Sequence, residues 1–271
     1  MIGLASLGSG SRGNGTLVRF DRSLFLIDCG FTVKQTEARL ARLGVRPGDI
    51  TAILVTHEHA DHASGVAAFA HKYAIPVFGS YGTLSNKSYS LVGSAFDGDV
   101  PFTLGDVLIN PVRVPHDARE PTQFVLSRGD VKIGVLSDLG CVTPHVVEQF
   151  SSTSLLMLEA NHDVGALENG RYPPMLKRRI RSDLGHLSNG QSAELLEAVA
   201  HDDLHVVIGH VSEENNGDSL LDAVFAPLRD RVKTFRIATQ STGMLWIMLQ
   251  GEAPVSHEGW GRVDVQPMLA L

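Results

Sequence analysis

Cysteine is nearly absent from this chain. Its two residues, Cys29 and Cys141, are too few for a disulfide framework, so a reducing compartment is expected, with both thiols in packing roles. Long apolar runs are missing too. None reaches the roughly 20 residues needed to span a bilayer, and the first residues lack the basic-then-apolar layout of a secretory leader. The expectation is a cytoplasmic protein with no membrane partner. Nor is positive charge in excess: 23 Lys and Arg stand against 30 Asp and Glu. The formal charge of −7 argues against a surface that coats nucleic acid, though not against a local basic patch. No short repeat and no linker rich in Pro, Gly or Ser divides the 271 residues. They read as one domain over residues 1–250 and an aperiodic tail over 251–271. An apolar fraction of 43% supplies ample core.

What is present is concentrated in one stretch, Thr56-His57-Glu58-His59-Ala60-Asp61-His62. The apolar, β-branched run Ile50–Val55 before it reads as a buried strand, and a helical pattern begins at Ser64. His57, His59, Asp61 and His62 therefore leave the carboxyl end of a strand, where ligand sites gather in open α/β sheets. In an extended turn, residues two apart face the same way, so His57 and His59 can grip one cation while Asp61 and His62 turn toward a second. Imidazole nitrogen with some carboxylate oxygen suits zinc, with manganese or iron as further options. A surface turn of purely structural purpose would not concentrate four candidate ligands in this way.

Other apolar strands also end in polar turns. The candidates there are His116 after Asp106–Val112, Asp138 after Val131–Leu136, Glu159 or His162 after Leu155–Leu158, and His210 after Leu204–Gly209. Asp28 ends the Leu24–Ile27 strand and is a candidate to hold the metal loop by hydrogen bonding. An amphipathic helix is expected over 32–43, with Val33, Ala38, Leu40 and Leu43 on its apolar side. Further helices are expected up to Tyr73, through Ala200 and over 219–228, with strands near 232–238 and 244–249. The loop Gly8–Gly15 between the first two strands is either a plain hairpin connection or an anion nest built on backbone N–H groups with Ser9, Ser11 and Asn14; lacking a lysine and a following helix, it is no P-loop. The one concentrated run of positive charge is Lys177, Arg178, Arg179 and Arg181, just before Gly185-His186-Leu187-Ser188-Asn189. Such a run is usually a solvated helix face, but beside a metal cleft it would draw in a phosphate backbone.

The HxHxDH pattern of residues 57–62 resembles the metallo-β-lactamase superfamily, which implies an α/β fold, the four-layer αββα sandwich, with one or two metals between the sheets. Carried over residue by residue, the resemblance implies that His57, His59 and His116 hold one divalent metal, that Asp61, His62 and His210 hold the other, and that Asp138 bridges. The two ions would be Zn or Mn. True β-lactamases resemble the chain less, because a cysteine stands there where Asp138 stands here. A carboxylate shared by two cations suits in-line displacement at phosphorus by a metal-bridging hydroxide, with Asp61 orienting it or taking its proton. The Gly185–Asn189 loop resembles the histidine loop of RNase Z, which implies that His186 donates a proton to the leaving oxygen. Ser188 or Asn189 equally forms a helix cap there. His162 is a candidate substrate contact or orienting partner. Together with the Gly/Ser loop and the turns at 159–163 and 210–215, these motifs most resemble the YycJ/WalJ-like subgroup, associated with 5′–3′ DNA exonuclease activity. The inserted cap domain of β-CASP nucleases is absent.

The expectation is therefore a dinuclear phosphodiesterase acting on DNA. The rivals are a cyclic or nucleotide phosphodiesterase, an RNA-processing nuclease, a thioester hydrolase or mono-iron sulfur oxidiser on the same scaffold, and a metal-bound module without catalysis. Oligomeric state is left open, a homodimer included.

Overall fold

In the computed structural model, residues 1–254 are described. The expected tail lies, from residue 255 on, outside them. The first sheet is built from β1 (Ile2–Gly8), β2 (Gly15–Phe20), β3 (Ser23–Ile27), β4 (Ala52–Val55), β5 (Val77–Ser80) and β6 (Ser94–Phe96). The second carries β7 (Phe102–Leu104), β8 (Val107–Arg113), β9 (Thr122–Arg128), β10 (Val131–Leu136), β11 (Leu155–Glu159), β12 (His205–Gly209) and β13 (Thr234–Ile237). A final strand, β14 (Met244–Gln250), returns to pair antiparallel with β1. The neighbours run β14-β1-β2-β3-β4-β5-β6 and β13-β12-β11-β10-β9-β8-β7. In both sheets antiparallel hairpins lead into a parallel half.

Alternation explains the layers. Along the first sheet Val18, Phe25, Ile27 and Leu54 face the second sheet, where they pack with Phe124, Ile133, Val135 and Met157. Their neighbours Leu17, Leu24, Leu26 and Ile53 face outward onto Leu40, Val66 and Phe69 of helices α1 (Val33–Arg42) and α3 (Val66–Tyr73), on either side of the short α2 (Ala60–Ala63). The second sheet repeats the pattern after the short α4 (Tyr81–Leu84). Leu136, Leu158 and Ile208 turn outward onto α5 (Pro144–Phe150), α8 (Asn189–Val199) and α9 (Asp218–Phe225). Two more helices, α6 (Val164–Asn169) and α7 (Pro174–Ile180), lie between β11 and α8 in the chain. Central strands buried on both faces read as continuous apolar runs, as parallel strands do. The result is the expected αββα sandwich.

Helix α1 departs from expectation in its face. Ala38 is exposed, and Thr36 is buried instead, its hydroxyl donating to the Thr32 carbonyl at 3.1 Å. Cys29 is buried, and burial pushes its thiol up to about 11; Cys141 is half-buried. No helix among the described residues is long and apolar enough to cross a membrane.

Candidate metal centre

Strands β4, β8, β10, β11 and β12 all deliver their carboxyl ends to one edge of the sandwich. The loop after β4 supplies His57 and His59, and the short α2 that follows supplies Asp61 and His62; the turns after the others supply His116, Asp138 and His210, and β11 itself ends on Glu159. The donor groups that result include His57 with His59 and His116, and Asp61 with His62 and His210; another joins Asp138, Glu159, His186 and His210. Asp138 lies beside the first two: its Oδ2 is 2.9 Å from His62 Nε2, its Oδ1 is 3.0 Å from His210 Nδ1 and 3.9 Å from His116 Nε2, and it also groups with His57 and His62.

The hydrogen bonds at the back of each ring fix which nitrogen faces the centre. Asp28 accepts from the Thr56 N–H (2.8 Å), the Thr56 hydroxyl (2.8 Å) and His62 Nδ1 (2.7 Å). With its own proton given to Asp28, Thr56 Oγ1 is left to accept from His57 Nδ1 at 2.9 Å. His116 Nδ1 donates to the Gly185 carbonyl at 2.9 Å, and His210 Nδ1 is 3.0 Å from Glu159 Oε1. An acceptor behind each Nδ1 turns the Nε2 of all four rings toward the centre. His59 presents Nδ1 instead, 2.9 Å from His57 Nε2 and 3.2 Å from His116 Nε2. Both Asp138 oxygens and His210 Nε2 are buried with no hydrogen bond among the described residues. Buried ligand atoms crowded this closely and partly unpartnered are costly unless a cation lies among them, so the donor set fits divalent metal.

Charge follows the same plan. Burial works against a charge on Asp138, but His210 and His62 hold its carboxyl well below the usual range. Burial likewise opposes charge on His62, yet Asp138, Asp61 and Asp28 hold it well above the ordinary imidazole range, and Asp138 does the same for His210. His57 is pushed well down, by burial and then by His62.

Backbone geometry holds the ligands in place. His210 has a φ of 48°, uncommon for a residue with a side chain. It is clamped from two sides: its N–H donates to Ser9 Oγ at 2.7 Å and its carbonyl accepts from Asn161 Nδ2 at 3.0 Å. The Asp61 carbonyl accepts from the Asn14 N–H at 2.7 Å and passes so close to Gly30 that a Cβ there would sit 1.8 Å from its oxygen. Only glycine fits at position 30.

A cavity of about 370 Å³ opens over the centre, lined among others by Asp61, Asp138, His186, His210, Ser11 and Arg179. Of the residues expected to meet substrate, Ser11 and Arg179 reach it. Ser9 and Asn14 do not; they are buried in supporting contacts, Asn14 Nδ2 lying 3.2 Å from Asp61 Oδ2 and 3.0 Å from His62 Nε2. The loop is no anion nest either. The N–H groups of Ser9, Gly10, Arg12, Gly13 and Asn14 already have partners in Thr239, Asn14, Gln240, Gly10 and Asp61. Lys177 Nζ donates to the Glu168 and Gly170 carbonyls, Arg181 pairs with Glu168, and Arg178 is exposed away from the cavity wall. Asn161 lines the cavity and His162 does not.

Two residues carry more than the sequence signalled. Glu159, fully buried, holds His186 Nδ1 at 2.7 Å together with His210 while its Oε2 accepts from the Leu139 N–H at 2.9 Å. Asp117 grips Arg179 and lies 3.7 Å from His59 Nε2. The acidic residue next to a ligand histidine was the available signal.

His162 is 2% exposed, its Nδ1 has no partner among the described residues, and burial pushes it down to about 4. The unfolded chain takes up a proton here near pH 6.5, which the folded chain refuses until about pH 4. Stability from this residue is thus complete above pH 6.5 and falls, by up to about 3 kcal/mol, as pH drops to 4. Urea unfolding at pH 7 and pH 5 should show a smaller acid loss for His162→Gln than for the parent; equal losses would contradict the assignment.

An αββα sandwich with clustered histidines and carboxylates at one edge defines a class of metal-dependent hydrolases. The chain belongs to the metallo-β-lactamase superfamily, whose sequence profile matches residues 8–148. It is an enzyme of that superfamily and similar to exodeoxyribonuclease YycJ of Bacillus anthracis, with 35% identity over 218 residues, 78% of this chain and 82% of that protein. Ribonuclease Z of Mycolicibacterium gilvum is 32% identical over 165 residues, covering 54% of this chain and 56% of the relative. The fold is shared with the metallo-β-lactamase fold protein YhfI of Bacillus subtilis, at a TM-score of 0.67 and 15% identity, over 91% of this chain and 98% of that one.

Proposed function

We propose that this enzyme is a dinuclear metal-dependent phosphodiesterase that removes nucleotides from the 5′ end of DNA. The observation that carries the reading is the buried carboxylate of Asp138, set against the imidazoles of His62 and His210 and lying beside both three-donor groups. His57, His59 and His116 would hold one ion, Asp61, His62 and His210 the other, with Asp138 shared. Two divalent ions, Zn or Mn, would acidify the attacking water and neutralise charge on the phosphate. The chain's own groups do the rest. Asp61, held below the usual carboxylate range despite its burial by His62 and His210, is an acceptor that orients the water's hydrogen. His186, anchored through Nδ1 on Glu159, presents Nε2 to protonate the leaving oxygen. Ser11 and Arg179 meet the phosphate from the cavity wall. The similarity to exodeoxyribonuclease YycJ supports DNA as substrate.

The test is digestion of 5′-labelled and 3′-labelled duplex DNA, single-stranded DNA and RNA, with Mn or Zn supplied in turn. Labelled mononucleotide released at once from 5′-labelled DNA, but only late from 3′-labelled DNA, is expected. Cleavage confined to RNA would move the assignment to the RNA-processing relatives, and no cleavage of any strand would overturn it.

A further inference from the structure

The cavity has two unlike walls. Part of its lining is the ligand cluster, and another part is the largely apolar trio Tyr172, Leu176 and Ile180, with Arg179 among them. Leu176, Arg179 and Ile180 recur at the spacing of one face of α7, and Tyr172 stands just before that helix. Tyr172 is the one Phe, Trp or Tyr side chain on the lining; its ring is half-buried, and its hydroxyl makes no hydrogen bond among the described residues. Among the described residues Arg179 is held by one edge: Nε lies 2.5 Å from Asp117 Oδ2 and Nη2 lies 3.0 Å from Oδ1. That grip fixes the guanidinium plane and leaves Nη1 free for a second oxyanion.

We infer that the Tyr172–Ile180 wall is a subsite for one unpaired nucleobase at the strand end, with Tyr172 as its stacking platform and Arg179 as the clamp on the adjoining phosphate. The inference rests on the phosphodiesterase reading and names what that site takes. An apolar wall beside metal ligands gives nothing to inorganic phosphate or to a small polar ester. It suits a base, whose π-face stacks on an aromatic ring whatever the sequence. At about 370 Å³ the cavity lies at the small end of the roughly 300–1,000 Å³ typical of ligand clefts. A terminal base must therefore leave its stack and its pairing partner to enter. Frayed or single-stranded ends are digested faster than blunt GC-paired ends.

Two measurements on the metal-loaded enzyme test this. The first uses a single strand with 2-aminopurine as its 5′-terminal base and hydrolysis-resistant phosphorothioate linkages. Binding to the parent or to Tyr172→Phe should quench the fluorescence by stacking, and binding to Tyr172→Ala should not. The second compares digestion of normal ends with ends whose terminal nucleotide is abasic. Tyr172→Ala should lose about 5- to 150-fold in kcat/KM on normal ends, the value of one stacked base, and little on abasic ends. Undiminished quenching by Tyr172→Ala, or equal losses on both ends, overturns the subsite while leaving the phosphodiesterase reading intact. A parent enzyme that binds and quenches yet cleaves no DNA overturns that reading instead.

Discussion

Asp138→Asn is expected, on the proposed two-ion reading, to strip the enzyme of at least one metal equivalent and to lower kcat/KM on the order of 10³-fold or more. Several kcal/mol of transition-state charge stabilisation would be lost with the ion. The amide matches the carboxylate in size but carries no charge, and Asp138 Oδ2 and Oδ1 lie 2.9 and 3.0 Å from His62 and His210. Without added metal the same carboxylate is a counter-charge that holds both imidazoles well above their ordinary range. The substitution therefore costs some stability for a reason unrelated to metal, and melting temperature alone would mislead. The discriminating quantity is the rise in Tm on adding metal, which follows site occupancy. It should shrink sharply in Asp138→Asn relative to the parent. Two tightly held equivalents and an unchanged metal-induced rise would show that Asp138 is not shared between ions.

Much of this centre was legible before any coordinates. Four candidate ligands directly after a buried strand have no packing purpose, and His116, Asp138 and His210 each follow an apolar strand. What escaped did so for local reasons. A carboxylate at a strand end gives the same signal whether it touches metal or holds imidazoles, so only distances to His186 and His210 fix what Glu159 does. Ser9 and Asn14 read as loop residues open to an anion because their partners, His210 and Asp61, lie far along the chain. Asn161 and His162 differ by one position, which in extended chain reverses the side a residue faces. Strands β6 and β7, three residues each, are too short to show alternation. Helix α5 was not among the expected elements, although Thr143 as cap and Pro144 at its first position are a start signal for its brief apolar pattern. Thr36 hid on α1 because its hydroxyl bonds the preceding turn and lets it bury like an apolar residue.

His186→Ala should lower turnover of DNA by ~10²–10⁴, the usual contribution of a positioned general acid, while both metal equivalents stay. His186 sits at the cavity with its side chain 15% exposed, and its Nδ1 is 2.7 Å from Glu159 and 3.3 Å from Asp138 Oδ1. This proximity raises the competing reading that the ring is a ligand or a scaffold for Glu159. Leaving-group chemistry separates the two. The sugar oxygen of DNA departs as a strongly basic alkoxide and needs a proton, whereas p-nitrophenolate is stable enough to leave without one. A proton donor therefore predicts a large kcat loss on DNA and a small one on bis-p-nitrophenyl phosphate, with metal content unchanged. A ligand or scaffold predicts equal losses on both substrates, with metal lost as well. Glu159→Gln supplies the companion measurement. If the carboxylate acts by holding His186 and His210 in their tautomers, its amide should weaken metal binding about 10- to 100-fold, as loss of an orienting partner does, and should still favour the phenolate substrate over DNA.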